Sequence, residues 1–134
     1  MARTWLPFPL LATVACSSTP ASSPAAFPMS VPSDAGQLRL DLTAIPNPPK
    51  VGTDTFELTV VDAKDGTPRD GLSMSVVPWM PSMGHGTSIP TVTPEGGGKY
   101  VLSDVYLFMP GTWEFKIAFS GPVSDHADPT FEIQ

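Results

Sequence analysis

Met109-Pro110-Gly111-Thr112-Trp113-Glu114-Phe115-Lys116-Ile117-Ala118-Phe119 carries the strongest apolar alternation in the chain, and its reading decides the fold class. On an extended backbone Trp113, Phe115, Ile117 and Phe119 share one face, the period-2 signature of a strand buried on one side. Met109 to Thr112 fits a type II turn, with Pro second and Gly third, leading into that strand.

Strands with the same pattern lie on either side. Tyr100 to Met109 is long, but its parity changes: Tyr100 and Leu102 fall on one register, Val105, Leu107 and Met109 on the other. A β-bulge at Ser103-Asp104 reconciles them. Leu38, Leu40 and Leu42 alternate with Arg39 and Asp41 and end at Asn47-Pro48-Pro49, while Phe56, Leu58 and Val60 alternate with Glu57 and Thr59 and stop at Asp65-Gly66. Leu72, Met74 and Val76 make a third strand. Ser88 to Thr93 reads as a short edge strand, held off a central position by Pro90 and Pro94, and Phe131 with Ile133 supply the last.

About seven short strands in about 100 residues predict an all-β, immunoglobulin-like antiparallel β-sandwich. A cupredoxin-like barrel has the same periodicity and stays open as the alternative. The expected core is Leu38, Leu40, Leu42, Phe56, Leu58, Val60, Leu72, Val76, Leu102, Trp113, Phe115, Ile117 and Phe119. Each buried large apolar side chain is worth ~1.5 to 3 kcal/mol, so such a core needs no disulfide. Seventeen prolines and eleven glycines suit a turn-rich β protein, and no stretch reads as a long amphipathic helix.

The N-terminal part has a different composition. A positive start at Arg3 and an apolar run from Trp5 to Ala15, broken by Pro7 and Pro9, read as an export signal over residues 1–15, too short for a bilayer span of roughly twenty residues. Cys16, the only cysteine, stands where a bacterial lipoprotein would be lipidated. Thr13 replaces the usual Leu, and Thr13-Val14-Ala15 also satisfies ordinary secretory cleavage. Residues 16–35, rich in Ser, Pro and Ala, are expected to be a tether, and 36–134 the sandwich domain. The chain is thus placed outside the cytoplasm, at the bacterial cell envelope or periplasm, lipid-anchored to the membrane through Cys16.

Seven basic residues against thirteen acidic give a net charge of −6 without any basic cluster, which argues against nucleic acid as a partner. Enzymatic readings lack parts. His85 and His126 are the only histidines, Ser88 and Ser124 have no companion base, and there is no Gly-rich phosphate loop. His126, between Asp125 and Asp128, could join them in a weak divalent site, but a solvated acidic loop is the simpler expectation.

The chemistry concentrates in Trp79-Met80-Pro81-Ser82-Met83-Gly84-His85-Gly86-Thr87. Two thioethers and an imidazole within six residues suit Cu(I), whereas Mg, Ca and Mn want oxygen ligands and Zn rarely takes a thioether. Methionine is also a common gap-filler in cores, so the same loop can be structural. Trp79 either shields an ion or caps the core. With no cysteine thiolate, a blue-copper electron-transfer centre is disfavoured.

The third strand, the Met80-Pro81-x-Met83-Gly84-His85 loop, Gly98-Lys99-Tyr100 and the Val105-x-Leu107-x-Met109-x-Gly111-x-Trp113 run occur in an order that resembles the YtkA-like domain family, related to FixH, over roughly Leu38 to Phe119. The resemblance implies a small extracytoplasmic β-sandwich, often membrane-anchored and linked in some members to copper handling. FixH-type relatives serve assembly of a copper-containing oxidase but carry a membrane helix that this sequence does not show, so that role does not transfer directly. Carried over, the ligands are Met80, Met83, His85 and Met109, the last from a separate strand. The resulting expectation is a Cu(I) carrier that exchanges its ion with a copper-donating or copper-receiving protein. The alternative is a non-metal interaction or assembly module.

Overall fold

Ten strands, with no helix, make up the computed structural model, which describes residues 26–134: β1 Met29–Pro32, β2 Leu38–Ile45, β3 Gly52–Asp62, β4 Ser73–Met80, β5 His85–Gly86, β6 Thr91–Gly96, β7 Lys99–Leu107, β8 Gly111–Ser120, β9 Asp125–Ala127 and β10 Thr130–Ile133. The expected export signal and Cys16 lie outside the described residues.

All pairings are antiparallel, in two sheets ordered β1-β2-β3-β7-β6 and β10-β8-β4-β5, with β9 sharing the β10 edge of β8. The orders β2-β3-β7-β6 and β10-β8-β4-β5 reproduce the A-B-E-D and G-F-C-C′ sheets of the immunoglobulin sandwich. The barrel alternative falls away. All seven expected strands are present as β2, β3, β4, β6, β7, β8 and β10. The three additional ones have four, two and three residues.

The expected core is buried throughout, and the inner faces add Ala44, Met80, Tyr100, Val105, Leu107, Phe131 and Ile133. Phe56, Phe115 and Phe131 interlock edge-on or tilted at centroid separations of 4.9 to 5.7 Å, the arrangement that aromatic quadrupoles favour. The bulge falls where the parity change requires it. Asp54 faces Val105 and Phe56 faces Leu102, so β7 spends three residues where β3 spends two, and Asp104 takes up the excess at φ 59°. Met109 to Thr112 is a bend into β8 with Gly111 at φ 131°, short of type II geometry.

One boundary differs from expectation. The sandwich begins before residue 36, because Met29 to Pro32 pair with Leu42 to Arg39 as an edge strand, and Ser33 is buried. Phe27, Met29 and Val31 pack against the core. Their alternation was present in the sequence, but Pro28 and Pro32 disguised it. An edge strand tolerates proline because one side of it makes no ladder hydrogen bonds.

Candidate metal centre

The strand directions bring two donor-bearing segments to one end of the sandwich. There β4 ends and β5 begins, β7 ends and β8 begins, and β2 and β3 meet through residues 46–51. This end is the Met/His pole, and the opposite end is the far pole.

Met80 and His85 close a hairpin as directly opposed residues around a four-residue loop. Met83 N and Gly84 N both donate to Met80 O, at 3.1 and 3.0 Å, and Gly84 reverses the chain at φ 67°, a left-handed conformation that suits glycine. Opposed residues project to the same face with Cβ atoms about 5 Å apart, so Met80 and His85 are side-by-side neighbours. Across the pole, the His85 ring stacks on Phe108 at 5.7 Å and 17°. Phe108 meets Trp113 edge-on at 5.3 Å, and Trp113 Nε1 donates to Met109 O at 3.0 Å. The fully buried Trp113 therefore fixes the link that carries Met109.

The four candidate ligands converge by segment but differ in surroundings. Met80 is 2 % exposed and belongs to the core. Its Cε lies so near Gly111 that a Cβ there would sit 2.8 Å away. Met109 is half-buried against the core, Met83 at the loop tip is 52 % exposed, and His85 is exposed. Two thioethers thus line the apolar side of the pole, while the third and the imidazole face solvent. A cavity of about 320 Å³ opens nearby between Phe27, Pro48, Pro49 and Lys50, and none of the four ligands lines it.

Trp79 shields none of them. Its parity is opposite to that of Met80, so it lies on the outer face of its sheet, where Lys116 Nζ stands 4.5 Å from the ring centroid. The weak divalent site at His126 does not form either. Asp125 turns inward and His126 outward along β9, and the described residues contain no group of three or more His, Cys, Asp or Glu side chains able to hold an ion.

Sequence reasoning missed two residues at this pole. Phe108, the platform under His85, was hidden by its position between strand and turn. Asp54 is 3 % exposed; its Oδ1 accepts from Lys50 N at 3.1 Å, and its Oδ2 has no partner. Burial raises its pKa above the usual 3.8, outweighing the Lys50 hydrogen bond and charge. A signal existed, since Asp54 continues the inward parity of Phe56, Leu58 and Val60.

An immunoglobulin sandwich with a Met/His hairpin beside the β7–β8 link is the class of protein that fold and site define. The chain matches the YtkA-like family over residues 33–118 and belongs to it. That span runs from the end of β1 almost to the end of β8, so it contains every candidate ligand. No curated protein and no solved structure matches the chain.

Proposed function

We propose that this chain is an exported, lipid-anchored, non-enzymatic domain of the cell envelope that binds Cu(I) at its Met/His pole and exchanges it with a partner protein. One observation carries the reading: β5 and the β7–β8 link, far apart in sequence, meet where His85 opposes Met80 and stacks beside the Met109 segment. The donor set fits the ion, since thioether and imidazole are neutral, soft to borderline ligands that stabilise Cu(I).

Each residue has a distinct part. Met83 and His85, exposed on the hairpin, are the donors a partner reaches first. Met80 and Met109 hold thioethers on the inner side, and the three rotatable bonds of each methionine let sulfur turn toward an ion without backbone movement. The bound ion would supply only its own charge and ligand exchange.

The second reading, an interaction module with a structural loop, draws on the burial of Met80. Titration of the full chain with Cu(I) against a competing chelator, beside a His85→Ala, Met83→Ala double variant, separates the two. Copper carriage predicts at least about tenfold weaker binding by the variant, ~1.4 kcal/mol. Equal, weak binding by both proteins leaves the interaction module.

A further inference from the structure

The outer surface of the Met/His pole is as unusual as its interior. Five large apolar side chains among the described residues are well exposed, and four of them, Ile45, Val51, Met83 and Tyr106, ring this pole at 46 to 52 % exposure. The three loops that build it span residues 45–53, 80–86 and 106–112. They contain one lysine, Lys50, one histidine and no aspartate or glutamate, although the whole chain carries thirteen acids. Asp54 is buried just inside, and the nearest exposed carboxylate on β10, Glu132, accepts a hydrogen bond from Thr112. Clustered apolar exposure on loops that carry no acid of their own, with Glu132 at their edge engaged by Thr112, marks a contact surface rather than ordinary solvated loops.

The chain's own path points to the occupant. β1 runs antiparallel to β2, with Met29 opposite Leu42 and Pro32 opposite Arg39, so Ala26, the first described residue, stands at the Met/His pole beside Asn47 and Pro48. Phe27 fixes that entry point. Its ring packs at 5.4 Å from Phe56 and 5.2 Å from Phe131, and Asn47 Nδ2 donates to its carbonyl at 3.3 Å. From Cys16 to Ala26 the chain can reach at most about 35 Å. β3 alone, with eleven residues, spans about 36 Å at ~3.3 Å per residue. Had the chain entered at the far pole, the Met/His loop would stand a full domain length further from a lipid held at Cys16.

We infer that the Met/His pole faces and touches the membrane, with Ile45, Val51, Met83 and Tyr106 seated at the lipid interface. Tyr106 suits this position, since an amphipathic ring settles at the headgroup level, and Lys50 is the charge that anionic headgroups tolerate. The inference rests on the lipid-anchoring part of the proposed function and is independent of copper.

The test uses full-length protein in phosphatidylethanolamine and phosphatidylglycerol vesicles containing a brominated lipid. Variants Val51→Cys and Tyr106→Cys at the rim and Lys64→Cys at the far pole each add one thiol to the native Cys16 and carry a fluorophore on the added one, and mass spectrometry verifies that Cys16 is acylated and unlabelled. Much stronger quenching at positions 51 and 106 than at 64 is expected, and Ile45→Ser in the Tyr106→Cys background should reduce it. Equal quenching at all three sites overturns the inference, as does a rim label that stays dark to bromine because a second copy of the chain, detected by sedimentation, covers it. An unacylated Cys16 refutes the anchor itself. In that case the same variants carrying Cys16→Ser, labelled only at the new thiol and mixed with vesicles, decide the surface: rim quenching upholds lipid contact and its absence ends it.

Discussion

The two ends of the sandwich hold one buried aspartate each, and they treat it in opposite ways. At the far pole Asp125, 4 % exposed, accepts from Ser33 Oγ at 2.6 Å, Ala35 N at 3.0 Å and His126 N at 2.8 Å. At the Met/His pole Asp54 has one backbone donor and an orphaned oxygen. The far pole is latched by polar contacts elsewhere too. Arg69 pairs with Asp62, Gly98 N donates to Asp70 at 2.7 Å, and the Tyr100 hydroxyl donates to Arg69 O at 2.8 Å while accepting from Leu72 N at 3.2 Å. One end is thus built for rigidity. The far pole has an orphan of its own in Arg69 Nε, but its buried carboxylate is engaged on both oxygens, whereas the Met/His pole leaves one oxygen of its buried carboxylate unpaired and exposes apolar side chains.

The sharpest way to break this comparison is to add one methyl group at each pole. A Cβ at Gly98 would lie 2.5 Å from Val60 O and 3.1 Å from Arg69 N, at φ 76°, so backbone itself must move. Gly98→Ala is expected to cost about 4 kcal/mol, combining left-handed strain with overpacking. At Gly111 the obstacle is only the flexible end of Met80, at φ 131°. Gly111→Ala should therefore cost less, about 2 kcal/mol, while displacing Met80 and weakening Cu(I) binding. Urea unfolding of both variants checks the order, and a larger loss at Gly111 would mean that the Met/His pole is the rigid one.

Next in size is Asp125→Ala, which strands the Ser33, Ala35 and His126 donors inside the protein. A loss of about 3 kcal/mol is expected from hydrogen bonds to a charged acceptor. Burial pushes the Asp125 pKa up, but the Ser33, Ala35, His126 and Gln37 hydrogen bonds outweigh it and hold it below 3.8. The unfolded chain therefore binds the proton more readily. Asp125 stabilises the fold fully above the unfolded pKa and loses that contribution as pH falls through its lower folded value. Acid unfolding curves of wild type and variant should converge at the lowest pH.

How much of this was legible in the sequence follows from element length. Seven strands could be read because period 2 needs four or more alternating positions to show. β5 and β9, with two and three residues, offer no period at all, and β1 was masked by its prolines. The bulge was legible because it left a parity error between Leu102 and Val105 that only an extra residue repairs. Asp125 was read as part of a solvated loop because its partners at 33 and 35 lie about ninety residues away, and no local pattern encodes them. At the candidate centre, residue types announced Met80, Met83, His85 and Met109, but their burial depends on tertiary placement. The loop gave no hint that Met80 sits in the core while Met83 stands in solvent.

The smallest expected effect tests the looser pole directly and has the opposite sign. Because Asp54 has its pKa raised by burial, the folded state binds a proton more tightly than the unfolded chain, so the group costs stability as pH rises from 3.8 through its folded value. Replacing it with Asn removes the charge and keeps the acceptor for Lys50 N. Asp54→Asn should stabilise the protein at neutral pH by about 1 kcal/mol, the scale of an unsatisfied buried polar group. The gain should shrink as the wild-type carboxylate is protonated in acid. Asp125→Asn, which leaves an amide among backbone donors, should destabilise instead. Opposite signs for one substitution made at two equally buried aspartates would demonstrate that the poles differ in hydrogen bonding rather than in depth. Matching signs would mean that burial alone governs both, and the Met/His pole would lose its claim to be the end left free for a ligand.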